Sequence, residues 1–156
     1  MLFPNETNPR IWGYGPCAST ALDDNSDWVC LKGAVGCWIY ITEIGATGAA
    51  LVLTVHESTA ADTGTTAITT AWPIYYNLLT TTADTWTRAT DAITYSITPA
   101  ATASQVNFYI DASILSDGYD WIQLGSTTGD ASNTVYVEYQ LVGTRYKQET
   151  PPTAIA

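Results

Sequence analysis

Charge is what this sequence has least of, and positive charge above all. Only 5 Lys and Arg stand against 15 Asp and Glu in 156 residues, 13% of the chain is charged, and the formal net charge is -10. A field of that sign repels nucleic acid and anionic membrane at long range, so neither is expected as a partner. The surface must instead be made of Thr, Ser, Ala, Asn and Gly, unlike the Lys/Glu-rich exterior of a typical free domain, and it suits contact with other protein. Long apolar runs are missing too: nothing approaches the roughly 18 residues of a membrane-spanning helix. MLFPNETNPR at the start has no basic region ahead of an apolar stretch, so export by the usual signal is not expected.

Catalytic and metal-binding signatures are equally scarce. There is no Gly-rich phosphate loop of the Walker kind, no GxSxG elbow and no HExxH. His56 is the single histidine, and one imidazole assembles neither a His-rich metal site nor a base with its nucleophile and orienting acid. Cys17, Cys30 and Cys37 cannot all pair within one chain, and they form no CxxC element. Cys37 alternates with Val35, Ile39 and Ile41 and reads as a small core hydrophobe, whereas Cys17 and Cys30 lie outside the firm strands, where either could link to a neighbouring subunit. Asp23, Asn25 and Asp27 have the one-three-five spacing of a calcium loop, but Trp28 stands where Gly is required, and an Asx-rich turn is the plainer reading. Glu43, Glu57, Glu138 and Glu149 could supply the carboxylate pair of a glycoside hydrolase only if two of them faced one cleft. No catalytic residue, cofactor or metal is therefore expected.

What the sequence does have is alternation. Ile93, Tyr95, Ile97, then Val106, Phe108, Ile110, then Ile122, Leu124, then Val135, Val137, Tyr139, Leu141 recur at every second position. Thr94, Ser96, Asn107, Asp111, Gln123, Glu138 and Gln140 fall between them. A period of two places the first set on one side of pleated strands, facing a core, and the second set on the other. Several such strands at short spacing predict an all-β, jelly-roll-like antiparallel sandwich. A chain of this length buries roughly 70% of its unfolded surface in one domain, a sufficient core without staples.

The division along the chain reads as an irregular arm over residues 1–27, a sandwich over 28–146 and an extended tail over 147–156. The arm combines Pro4, Pro9, Pro16, Gly13 and Gly15 with little periodicity. Strands are expected at 28–32, 35–44 and 50–57, with Leu51, Leu53 and Val55 inward, and over 67–77, where Pro73 argues for an edge or a bulge. A short strand is placed near Trp86, and a helical turn capped by Gly118 over 112–118.

Aromatics are abundant, with 6 Trp and 10 Tyr against 2 Phe. Trp and Tyr bury a large body while keeping a polar tip, which protein interfaces and sugar-binding faces both favour. Trp12 and Tyr14 in the arm, and Trp72, Tyr75 and Tyr76 beside Pro73, are least explained by core alternation and are the candidate protein-contact residues.

The order of the segments is informative. AWPIYYN is followed by a Thr/Asp-rich turn with DTWT, then ITYSIT, VNFYIDASIL, DGYDWIQL and a last strand VYVEYQLVGTRY; LKGAVGCWIYITEIGATGAALVLTVHES precedes them. In this order the chain resembles the head decoration, or auxiliary capsid, proteins of tailed bacteriophages. The resemblance covers about three quarters of the chain. It implies a non-enzymatic β-sandwich on the outer surface of an icosahedral head in the virion, a homotrimer clamping neighbouring subunits of the major capsid protein. It supplies no residue-by-residue site, and the cysteines and the Trp-bearing arm depart from the pattern. Two other readings suit the same architecture: a non-catalytic carbohydrate-binding module using exposed Trp and Tyr as platforms, and an accessory subunit of a phage tail or fibre.

Overall fold

The computed structural model describes residues 10–22, 26–45, 48–61, 63, 66–78, 85–98 and 103–143; the expected tail and the first nine residues of the expected arm lie outside them. The strands are β1 (Arg10–Ala18), β2 (Val29–Cys30), β3 (Gly36–Ile44), β4 (Leu51–Ser58), β5 (Thr66–Ala67), β6 (Ile74–Leu78), β7 (Thr87–Arg88), β8 (Thr94–Ile97), β9 (Ser104–Asp111), β10 (Trp121–Thr128) and β11 (Thr134–Val142). They form two antiparallel sheets. One has six strands in the order β1-β11-β3-β9-β6-β7; in the other, β2-β10-β4 is continued by β5 and β8, which share the far side of β4. The chain is the all-β sandwich that the alternation predicts.

Between the sheets, Cys37, Ile39 and Ile41 of β3, Val106, Phe108 and Ile110 of β9, and Val135, Val137, Tyr139 and Leu141 of β11 meet Leu51, Leu53 and Val55 of β4 and Ile122 and Leu124 of β10. All are buried. Each large aliphatic or aromatic side chain taken from water in this way contributes about 1.5–3 kcal/mol. Burial also pushes the Cys37 thiol far above its usual range, so Cys37 behaves as the expected core hydrophobe.

One inward side chain is polar at its tip. The Tyr139 phenol oxygen accepts the Leu124 N–H at 2.9 Å and lies 3.1 Å from Ser26 Oγ. Ser26 Oγ donates to the Leu124 carbonyl, and the Ser26 carbonyl accepts Nε2 of Gln123 at 2.7 Å. These bonds replace a missing strand, because β2 pairs with β10 only at Trp121 and Ile122. Leu124 therefore takes side-chain partners where a ladder would have supplied backbone ones.

Five expectations need correction. Residues 10–18 of the supposed arm form β1, an edge strand paired with β11 from Arg10↔Gln140 to Ala18↔Thr134. Two register shifts, between Trp12 and Tyr14 and between Tyr14 and Cys17, break its period of two and hide it in the sequence. Gly13 is required there, because a Cβ would collide with the Tyr139 ring. Second, the stretch expected as one strand over 67–77 is split. It leaves the five-stranded sheet at β5 and joins the other sheet at β6, and Trp72, bridged to Ala92, fills the side of the core between them. Third, Gln123 is an outward residue of β10, yet it is buried because the segment around Ser26 covers it. Ile93, read as inward, precedes β8 and is exposed. Last, the turn after β9 is a 3-10 turn over Ala112–Ile114 begun by the Asp111 carboxylate, which accepts the Ser113 N–H at 2.8 Å; Gly118 belongs to a separate turn.

The Tyr139 bridge yields a direct expectation. Tyr139→Phe keeps the ring but leaves the Leu124 N–H buried without its acceptor, which costs about 1–3 kcal/mol. Urea titration should show a lower midpoint at unchanged slope, while Tyr136→Phe on the outer face should leave the midpoint in place. Equal midpoints for Tyr139→Phe and wild type would dismiss the bridge.

Candidate functional site

The outer face of the six-stranded sheet is where unexplained aromatics collect. Reading across the registers, one row runs Arg10, Gln140, Trp38, Tyr109; the next runs Trp12, Glu138, Tyr40, Asn107, Tyr75, Arg88; a third runs Tyr136, Thr42, Gln105, Asn77. These are the outward positions of strands whose inward positions make the core.

Trp38 is the centre of the upper rows. Its ring lies 5.0 Å from Tyr109, 5.8 Å from Tyr75 and 6.4 Å from Tyr40, the last at an interplanar angle of 27°. Such ring pairs add about 0.5–1.5 kcal/mol each beyond the area they bury. A guanidinium closes either side: Arg10 Cζ is 5.1 Å from the Tyr40 centroid and Arg88 Cζ is 6.0 Å from that of Tyr75. Both cations are matched, Arg10 by Glu138 at 3.2 Å and Arg88 by Asp91 at 2.8 Å. Burial raises the Tyr40 phenol above its ordinary value, against the pull of Arg10, and raises Tyr109 likewise with help from Asp111. Tyr40 and Tyr109 are thus neutral phenols at neutral pH, and the Tyr40 hydroxyl donates to Gln140 Oε1 at 2.8 Å.

The lower rows are hollow. Trp12, Tyr40, Thr42, Tyr136 and Glu138 line a depression of about 240 Å³, and a second, of about 380 Å³, is lined by Arg10, Tyr40, Thr42, Trp86, Gln105, Asn107 and Glu138. The two adjoin across Tyr40, Thr42 and Glu138, and together they are called the trough. Trp12 is fixed at its rim: the indole N–H donates to the Gly15 carbonyl at 3.0 Å, its ring stands edge-on to Tyr136 at 6.5 Å, and it remains 53% exposed.

The five candidate contact residues separate in the structure. Trp12 and Tyr75 lie on this outer face. Tyr14 points inward from β1 and packs half-buried on the core, its phenol raised mainly by burial, with Cys17 adding to the shift. Tyr76 stacks on Tyr95 at 6.2 Å and lines a side opening of the sandwich with Leu78, Ile97 and Val106. Trp72 is wholly buried, 5.9 Å from Phe108, so its place among surface aromatics is corrected: Pro73 marks the crossing between sheets, not an exposed edge. Trp38, Tyr40, Tyr109 and Tyr136 were missed, although the same alternation that identifies the core puts them on its opposite side.

Among the described residues the carboxylates share no cleft. Glu57 is buried, accepting the Ser116 N–H at 2.8 Å and the Ser116 hydroxyl; Glu138 is on the outer face; Glu149 lies outside the described residues. Glu43 is buried against Asn133, whose Nδ2 donates to Oε1 at 3.2 Å. The remaining oxygens of that pair, Glu43 Oε2 and Asn133 Oδ1, have no partner among the described residues. Asp23 and Asn25 are outside the described residues, and no group of three or more His, Cys, Asp or Glu able to hold a metal occurs among those described.

Glu43 predicts a pH dependence. Burial raises its folded-state pKa above the ordinary carboxylate value, and the Asn133 bond only partly offsets this. The stabilisation is then full below the ordinary pKa, where both states are protonated, and is lost as pH rises through the folded value. Glu43→Gln supplies an N–H to the pair at every pH, so its thermal midpoint should exceed that of wild type at neutral pH and converge with it in acid. A wild-type advantage at neutral pH would contradict the assignment. Compared with known proteins, the chain matches no family model, no curated protein and no solved structure.

Proposed function

We propose that this chain is a non-catalytic structural subunit of a tailed bacteriophage virion, bound to the outside of the icosahedral head, where it stabilises contacts between major capsid subunits. The observation that carries the reading is the aromatic cluster on the outer face of the six-stranded sheet, Trp38 with Tyr40, Tyr75 and Tyr109, in a chain of which only 13% is charged. Depletion of charge and enrichment in Trp, Tyr and Arg are the composition of an interface centre, and a few such rings carry most of the energy of a contact. The resemblance in segment order to head decoration proteins supplies the partner. Trp38, Tyr75 and Tyr109 are assigned to the shell contact, with Trp12 flanking it.

The mechanism is linkage. Whatever binds an assembled shell and not its separated subunits stabilises the shell, and repetition over equivalent sites amplifies a modest contact. A homotrimer matches the threefold positions of such a shell.

Purified protein mixed with undecorated heads should co-sediment with them and run as a trimer in light scattering. Trp38→Ala should bind about tenfold more weakly, the scale of a lost central ring, with its β circular-dichroism signal intact. A deletion probing the arm must stop before Arg10, because removing residues 10–18 removes β1. Failure of wild type to co-sediment at saturation would refute head attachment, and wild-type binding by Trp38→Ala would refute the assigned face.

A further inference from the structure

The trough beside the aromatic cluster has a different chemistry. None of Trp38, Tyr75 and Tyr109 lines it. Its floor is Glu138, Thr42, Gln105 and Asn107, side chains of three neighbouring strands, and its exposed rims are Trp12 and Trp86, which are 53% and 44% exposed. From β1 to β9 it crosses three strand spacings, about 14 Å.

We propose that this trough binds a neutral oligosaccharide. A pyranose ring has an apolar face of C–H groups and a rim of adjacent hydroxyls, each both donor and acceptor. The first matches an indole face, and the second matches planar two-pronged groups, here the Gln105 and Asn107 amides and the Glu138 carboxylate, with the Arg10 guanidinium at the edge. An aromatic lining with a few convergent polar groups is the usual make-up of a small-ligand site. A peptide strand would need apolar pockets for alternate side chains, and the floor has no aliphatic residue to form one. The net charge of -10 and the presence of Glu138 disfavour an acidic sugar. Two of its side chains are held before binding, the Trp12 indole by the Gly15 carbonyl and Glu138 Oε2 by Arg10, which lowers the ordering cost at those positions.

The inference goes beyond attachment to a shell and does not require it. The test is calorimetric titration of the full chain with gluco-, manno- and galacto-oligosaccharides, an oligogalacturonate of equal length and a proline-rich peptide, with tryptophan fluorescence as a second readout. At least one neutral sugar should bind, shift the tryptophan emission and lose about tenfold in affinity in Trp12→Ala and in Asn107→Ala, both at surface positions and checked for an unchanged β signal. Trp38→Ala should keep its sugar affinity. Absence of binding by every neutral sugar, tighter binding of the galacturonate, displacement by the peptide alone, or indifference to Trp12→Ala would each overturn the proposal. Head co-sedimentation of the same proteins separates the two readings: a chain that binds heads and no sugar overturns only the sugar site, and one that binds sugar and no heads overturns only the head attachment.

Discussion

The two sheets are bridged at Tyr139, and one rim of the outer face is placed by the same ring. The ring belongs to the core of one sheet while its oxygen completes the backbone of the other. A buried polar tip is worth keeping only when it is satisfied, and here the phenol, Ser26 and the Leu124 peptide group satisfy one another. The same ring sets the course of β1, because only a glycine at position 13 can pass over it. Trp12, next in the chain, is thereby turned onto the outer face beside Glu138.

Scarcity of charge gives the outer face its character. Of 5 basic residues in the chain, Arg10 and Arg88 lie on this one sheet face, each above a tyrosine ring and each with a carboxylate partner. In a strongly acidic protein this leaves a face that is locally close to neutral. Neutrality at that place permits close approach by a partner that the rest of the surface would not attract, whether protein or sugar.

Sequence periodicity made the core legible wherever strands are regular. β9 and β11 alternate without a break, and every inward residue read from them is buried. Legibility failed where a single residue carries two meanings. Pro73 reads as an edge but marks a crossing, which hid the burial of Trp72. Gly13, Gly15 and Pro16 read as coil but belong to a bulged edge strand. Gln123 has an outward position, and only a segment about a hundred residues away in sequence, around Ser26, makes it interior. For the candidate site the limit was different. Alternation says that Trp38, Tyr40, Tyr109 and Tyr136 point outward, but not that pleat and register set them side by side on neighbouring strands.

The broken ladder of β1 has a consequence for crowding. An edge strand with regular spacing offers its unpaired N–H and C=O groups as a template on which another chain can grow a sheet. β1 is the edge of the larger sheet, yet its two register shifts, the missing N–H of Pro16 and the charge of Arg10 leave no uninterrupted stretch on which a foreign strand could find register. Along this edge, copies of this protein can therefore sit shoulder to shoulder without their sheets fusing, and order across it must come from side chains and not from shared backbone.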